Sequence, residues 1–373
     1  MFDRDLNAVK YATRKIKEWI TMTAKQEWLE FLKTQHAIVE NDTILHFGEV
    51  GASVPELNDQ TIITPLIEVG VIGISGEDSN DFLQNQFSND VRTVSESHSQ
   101  LNAYCSPKGR VLSLFRLLKQ QDRFYLLLPQ ERLQATLKRL KMFVLRSKVL
   151  LEDASEHWGT IGIGGSNANA LIQSIFSSVP EQADDCVTQE QMSAIKLSGP
   201  MNRYLLLAPY EQLITVWTQC QDKAQAVSPQ NWQYLNIQSG IPEVYEATSD
   251  EFVPQMLNLH SLNGISFKKG CYPGQEVVAR MHYLGKQKRR MYLAHTEGDC
   301  SPQPGDNLYS AQSESEQSVG KIVMAGSAPN GGYDVLAVMQ IAAVENDETV
   351  LTQQKAALSF KELPYFVEVE GKK

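Results

Sequence analysis

The chain has 373 residues, 42% of them hydrophobic, and a formal net charge of -10. That length and apolar content are enough for two or three domains at roughly 100 to 200 residues each. The acidic balance excludes bulk coating of nucleic acid, which needs a broad basic face, and no run of about 18 uncharged apolar residues offers a membrane span.

Asp3 and Asp5 interrupt an amino terminus that has no signal-peptide apolar core, so the cytoplasm is the expected compartment. Residues 1 to about 50 read as helical. Leu6, Val9, Ile16, Trp19 and Ile20 recur at three-to-four spacing among Lys10, Arg14, Lys15 and Lys17, and a second run carries Trp28, Leu29, Phe31 and Leu32. A helical pair docked on the body is expected, with a basic amphipathic partner or membrane-surface helix as the alternative.

An internal repeat follows. GVIGISGEDSNDFLQNQF (Gly70 to Phe87) and GTIGIGGSNANALIQSIF (Gly159 to Phe176) align without a gap, each reading as strand, glycine turn and helix. A second pair comes in the same order, DRFYLLLPQERL (Asp122 to Leu133) and NRYLLLAPYEQL (Asn202 to Leu213), each an apolar strand, a proline and a helix. The first copy holds an extra segment that includes CSPKGRVLSLFRLL. Two α+β modules with helices on one face of a largely antiparallel sheet are therefore expected side by side, with a site at their interface. GIGGSN lacks the third glycine of a dinucleotide fingerprint, because Asn167 stands there, and close strand–helix packing explains its glycines. After about residue 286, short strands separated by Gly, Pro, Ser and Asn turns read as a small antiparallel barrel of about six strands.

The residues with chemistry centre on FKKGCYPGQEVVARMHYLGKQKRR, Phe267 to Arg290. Cys271 follows Lys268 and Lys269, and Pro273-Gly274 makes a turn before a helix from Gln275 whose free amides favour a thiolate. A reactive thiol and a small buried side chain both fit. Cys105, Cys186, Cys220, Cys271 and Cys300 are scattered without CxxC spacing, which fits free thiols in a reducing environment and supplies no metal site; His260 and His282 lie too far along the chain to chelate with Cys271. Lys286, Lys288, Arg289 and Arg290 are either a solvated strand edge or a local anion site. KRLKMFVLRSKV is a second basic region whose apolar residues suggest packing. Trp232 reads as core or as the stacking wall of a flat conjugated ligand such as a pterin. Gln86 and Asp90 could meet a heterocycle's donor edge, with a helix-capping role competing at Asp90.

From about residue 60 onward the chain resembles the folate-binding YgfZ-type proteins, relatives of the glycine-cleavage aminomethyltransferase (T-protein). FLQNQFSNDV, AYCSPKGRVLSLFRL, WQYLNIQSGIPEV, FVPQMLNLHSLNGISFKKGCYPGQEVVAR and ELPYFVE carry the resemblance, and KGCYPGQE is its most specific element. The resemblance implies a three-domain ring of two ferredoxin-like modules plus a carboxy-terminal β-barrel, with tetrahydrofolate in the central channel. It implies that Trp232 contacts the folate and that Lys269 and Cys271 are needed for activity. A second folate-contacting tryptophan of some members falls at Val69, the catalytic aspartate of the enzymatic relatives falls at Ser113, and another acid position falls at Gln238. Without that aspartate the chain is not expected to be an ordinary aminomethyltransferase.

The expected organisation is a helical extension over residues 1–55, a folate-binding module over 56–152, a second module over 153–285 ending in KGCYPGQE, and a barrel over 286–373. The expected function is a tetrahydrofolate-binding accessory factor for iron–sulphur enzymes or cluster-assembly proteins, and through them for tRNA modification. Cys271 and Lys269 form its reactive pair; Trp232, Gln86, Asp90, Tyr272, Glu276 and Arg280 contact the folate, and the cations near Arg290 hold its glutamyl tail. A monomer without resident metal, membrane contact or bulk nucleic-acid contact is expected. The alternative is a folate-dependent one-carbon transferase or demethylase that uses Asp90 or Glu276 as its acid.

Overall fold

A computed structural model describes residues 22–48, 60–298, 301–312, 317–346 and 348–367. The expected helix over Leu6 to Ile20 and Cys300 lie outside the described residues. Among the described helices none is long and apolar enough to cross a membrane.

The second amino-terminal run forms the helix Ala24–Thr34. Its start is fixed by a capping box: the Thr23 hydroxyl accepts from Gln26 N at 3.3 Å and the Gln26 side chain accepts from Thr23 N at 3.0 Å. The apolar stripe docks through fully buried Trp28, whose ring meets Trp217 edge-on at 5.7 Å and Tyr210 at 6.4 Å. The helical reading fails after it. Ala37–Glu40 and Thr43–Phe47 form an antiparallel hairpin, because Asn41 and Asp42 both take positive φ, 48° and 59°, and the flanking Ile, Val and Thr residues suit strands.

Both repeat units have the expected form. In the first, the strand Val69–Ser75 and the helix Ser79–Gln84 are followed by three antiparallel strands, Gln100–Cys105, Val111–Gln120 and Arg123–Pro129, then the helix Gln130–Val144. In the second, Trp158–Gly165 and the helix Ala168–Ile175 precede Cys186–Gln189, Met192–Leu197, Arg203–Pro209 and the helix Tyr210–Cys220. The repeated glycines do what strand–helix packing demands: a Cβ added at Gly70 would lie 2.6 Å from Leu133 Cδ1, and one at Gly159 would strike the Tyr210 ring. The strand Thr61–Pro65, which precedes the first unit, is hydrogen-bonded into the second sheet against Trp158–Gly165.

Each sheet covers one face with its own helices. The other faces turn toward each other and share a core that includes Val71, Leu118, Leu127, Leu205, Leu207 and Trp232. The carboxy-terminal strands form a six-stranded antiparallel sheet in the order Val350–Leu351, Asn307–Ser310, Gly320–Ser327, Tyr333–Gln340, Arg289–Thr296, Leu358–Lys361, which curls into a nearly closed barrel. This barrel packs on the first module through a core containing Leu101, Leu114, Met291 and Val323, and on the helix Pro229–Gln238 that follows the second module. Three bodies, each touching the other two, make a ring.

The barrel sets the angle of that helix. Asp334, fully buried, accepts hydrogen bonds from Tyr234 OH at 3.2 Å, Gln238 Nε2 at 2.7 Å and Lys361 Nζ at 2.7 Å, and its other close neighbour is His295 Nδ1 at 2.7 Å. Tyr234 and Gln238 occupy one face, four residues apart; Trp232 and Asn236 occupy the opposite one and point between the modules. Part of the KRLKMFVLRSKV segment departs from its expected packing. Leu140 is buried, but Met142 and Phe143 at the end of the helix Gln130–Val144 and Leu145 just after it are exposed.

Candidate functional site

A cavity of about 300 Å³ lies between the two modules. Trp232 is one wall, held by unusually close packing: a Cβ at Gly162 would fall 2.6 Å from the indole, and the Arg203 guanidinium stands 5.1 Å from the ring centroid. The expected role of the GIGGSN glycines is closure between their own strand and helix; Gly162 is instead the seat of the tryptophan, and Gly165 lies against the Gln60 backbone. Val69 lines the same cavity where some relatives carry a second tryptophan.

The polar wall was missed by sequence reasoning. Glu243 Oε2 accepts from Tyr245 OH at 2.6 Å and Oε1 accepts from Asn236 Nδ2 at 3.1 Å, while Asn236 Oδ1 accepts from Arg203 Nη1 at 2.9 Å. An amide therefore sits between a buried carboxylate and a buried guanidinium, with its orientation fixed by their opposite demands. Arg203 also donates to Ser239 Oγ at 2.7 Å; burial draws its pKa down to about 9, with Arg116 adding repulsion, and it remains charged at neutral pH. Burial pushes the Glu243 carboxyl up, against the opposing pull of the Tyr245 and Asn236 donors. Arg116, also on the lining, is neutralised by Asp184.

A second carboxylate, Glu68, faces the same space. Its side chain is exposed, yet desolvation by the protein around it, opposed by its own backbone N–H and aided by the charge of Glu243, pushes its carboxyl up to about 7. No described side chain donates to it. One signal for Glu243 lay in WQYLNIQSGIPEV, where an acid follows a helix-ending glycine; Glu68 had none, since a lone acid before an apolar strand looks like a turn residue.

Of the expected folate contacts, Trp232 alone lines this cavity. Lys286, Lys288, Arg289 and Arg290 do not reach it, Gln238 is bound to Asp334, and Ser113 turns its hydroxyl to Thr136 Oγ1 at 2.6 Å, away from the lining residues Leu114 and Arg116.

The other expected residues gather behind the strands Gln100–Cys105 and Val111–Gln120. Lys269 is buried, and its Nζ donates to three backbone carbonyls, those of Gln84 at 2.6 Å, Phe87 at 2.6 Å and Asn89 at 2.8 Å. These close the carboxy-terminal end of the helix Ser79–Gln84, where orphan carbonyls need donors. Desolvation lowers the Lys269 pKa to about 8. The ammonium stands 5.3 Å from the centroid of buried Tyr272. Gln86 is buried in the same loop with its side-chain oxygen unpartnered among the described residues.

Asp90 caps the short turn Val91–Thr93 and pairs bidentately with Arg92 at 2.8 Å for each oxygen, and this pairing holds its carboxyl down to about 2. The capping role that competed for Asp90 is the one it plays. Pro273-Gly274 turns at φ 81° against the turn at Gly109, φ 72°; a Cβ on Gly274 would fall 2.6 Å from Gly109 Cα, so only glycine fits. The helix Gln275–Leu284 follows as expected. Cys271 is the exposed thiol of this loop, and Glu276 and Arg280 are exposed on the helix. Cys105, Cys186 and Cys220 are buried, and burial pushes their thiols up, Cys105 to about 12.

Two places therefore share the chemistry: an acidic, tryptophan-walled cavity between the modules, and a lysine-clamped loop presenting a thiol. Leu101 and Leu114 line the cavity and pack in the same core as Cys105 and Val278, so one apolar layer separates the two.

No family model matches the chain. Among solved structures, the glycine cleavage system aminomethyltransferase T of Bartonella henselae superposes with a TM-score of 0.71 at 12% identity, covering 92% of this chain and 98% of that one, which shows a shared fold. The chain is 35% identical over 310 residues to the tRNA-modifying protein YgfZ of Colwellia psychrerythraea, covering 82% of this chain and 94% of that protein. It is 32% identical over 296 residues to the protein of the same name from an Enterobacter species, covering 79% and 90% respectively. With its modules, barrel and ring in place, the chain belongs to the YgfZ family of tRNA-modifying proteins.

Proposed function

We propose that this protein binds tetrahydrofolate, or another folate derivative, in the cavity between its two modules and serves iron–sulphur enzymes, and through them tRNA modification. The observation that carries the folate half is the pairing of a seated indole, Trp232, with a carboxylate, Glu243, held in place by Asn236 and Tyr245. A pterin needs a flat apolar wall and an acceptor for its contiguous ring N–H and exocyclic amine, and these residues supply both. The folate, when bound, supplies nitrogens that carry one-carbon units; the protein's residues bind and orient it. The name of the relatives supports the link to tRNA. The role of Cys271 toward iron–sulphur enzymes rests on its exposure in a loop that Lys269 ties to the first module. In this reading the protein works as a cytoplasmic monomer.

The acids named for the one-carbon-transferase alternative do not reach the cavity. Asp90 is committed to Arg92, Glu276 is exposed on its helix, and neither lines the cavity.

Tetrahydrofolate is expected to quench tryptophan fluorescence saturably and to raise the melting temperature, and Trp232→Phe is expected to lose most of the quench. No quench and no thermal shift would remove the folate half. For the thiol, Cys271→Ala is expected to fail to restore iron–sulphur enzyme activity in cells lacking the native protein. Full restoration would make Cys271 an ordinary surface residue.

A further inference from the structure

The cavity holds more acid than a pterin's donor edge requires, and the two carboxylates differ in kind. Glu243 is fixed by two donors, Arg116 is neutralised by Asp184, and Tyr245 is occupied by Glu243 and by Gln233 at 3.1 Å. Among the described residues lining the cavity, Glu68 alone is a charged side chain with no side-chain partner, and its side chain is exposed.

Resting on the folate reading above, we propose that Glu68 is a specificity-determining residue that selects the reduced over the fully oxidised pterin by accepting a hydrogen bond from a ring N–H. An ionised carboxylate can only accept. A tetrahydropterin carries N–H groups at two ring nitrogens where the fully aromatic ring carries lone pairs. Facing Glu68, the reduced ring forms a charge-assisted bond, whereas the oxidised ring sets lone pair against lone pair and gives the carboxylate no donor. Sites built to bond a ligand N–H reject analogues lacking it far more strongly than apolar pockets reject a missing methylene.

The discrimination depends on pH. The groups facing Glu68 across the cavity are Glu243, Arg116 and Tyr245, and burial together with Glu243 places the Glu68 titration at about 7. Below that pH the neutral acid has an O–H to offer a lone pair, and the penalty against the oxidised ring falls. Above it the carboxylate can only accept, and the preference is complete.

The test measures the affinities of tetrahydrofolate and folic acid by fluorescence at about pH 6 and pH 8, anaerobically, for the natural protein and for Glu68→Gln and Glu68→Asp. The preference for tetrahydrofolate is expected to grow by about tenfold across this interval, the factor that one unit of linked titration supplies. Glu68→Gln, whose amide can donate or accept, is expected to show a lower preference that changes only with the ligands' own titration, and Glu68→Asp to retain the pH-dependent rise. A Glu68→Gln protein with the natural profile, or a preference equal at both pH values in the natural protein, would overturn the role of Glu68 while leaving folate binding intact. Failure of either folate to bind at any pH would overturn the folate reading, and this assignment with it.

Discussion

Replacing Lys269 with methionine is expected to lower stability by about 2–4 kcal/mol in denaturant titration, and restoring a charge as Lys269→Arg is expected to recover little of it. Three carbonyls, those of buried Gln84 and Phe87 and of half-buried Asn89, lose their donor, a buried one costing about 1–3 kcal/mol when left unsatisfied, offset in part by removal of an ammonium that was costly to bury. The planar guanidinium cannot converge on three carbonyls that a rotating ammonium reaches at 2.6, 2.6 and 2.8 Å. The deficit is also pH-dependent. Because desolvation lowers the Lys269 pKa from 10.5 to about 8, the unfolded chain holds more protons than the folded one between those values, so this group's contribution to stability rises with pH across that window. Methionine has no such titration, and the gap between natural protein and variant is therefore expected to widen from about pH 8 upward. Cys271→Ala, at an exposed position, is expected to stay within about 0.5 kcal/mol of the natural protein at all these pH values. A Lys269→Met protein as stable as the natural one would return the lysine to a purely chemical role.

That expectation changes how the loss of activity in a lysine variant is to be read. Lys269 and Cys271 stand two residues apart, which makes them look like one reactive pair. The lysine instead spends its donors on the chain that ends the helix Ser79–Gln84, and only the thiol is offered outward. Loss of function in a Lys269 variant would follow from a loosened loop without any proton passing through the amine.

What could be read in the sequence was whatever repeats locally. Strand–glycine–helix units written twice fixed two modules, and the first glycine of each, Gly70 and Gly159, faces a helix as its spacing implied. The hairpin Ala37–Phe47 was lost in a helical reading because two short strands around Asn41-Asp42 leave little periodic pattern. The site was legible where a residue type is conspicuous, as at Trp232 and Cys271. It was illegible where function comes from convergence. Glu68 and Glu243 are far apart in the chain, and only the facing of two sheets gives them one cavity and lets the charge of Glu243 bear on Glu68. Gln86 and Asp90 failed as cavity residues for the converse reason. They sit close to the repeat's first helix in sequence, but the strands that follow place them on the far side of the sheet's hairpin, with Lys269.

Gly162→Val is expected to weaken tetrahydrofolate binding by about 5- to 150-fold, the equivalent of losing a stacking contact of about 1–3 kcal/mol. The strand Trp158–Gly165 runs beneath the indole so closely that a Cβ would stand 2.6 Å from Cε3 and Cζ3 of Trp232, well inside van der Waals contact. A valine must push the ring into the cavity, away from the Arg203 guanidinium that backs it, at an overpacking cost of about 1–3 kcal/mol. Gly164→Ala is the control on the same strand. Its methyl would meet Arg203 Cγ at 3.3 Å and Ile62 Cγ1 at 3.6 Å, contacts that a small shift relieves, so binding is expected to stay within about threefold. The two positions also interact. In a Trp232→Ala background the valine enters space that the indole has vacated, so its stability cost is expected to fall by about 1 kcal/mol or more, the non-additivity expected of residues in contact. Equal costs in the two backgrounds would mean that valine is accommodated by movement of the strand. A Gly162→Val protein that bound tetrahydrofolate with undiminished affinity would mean that the folate stacks elsewhere and that Trp232 is only core.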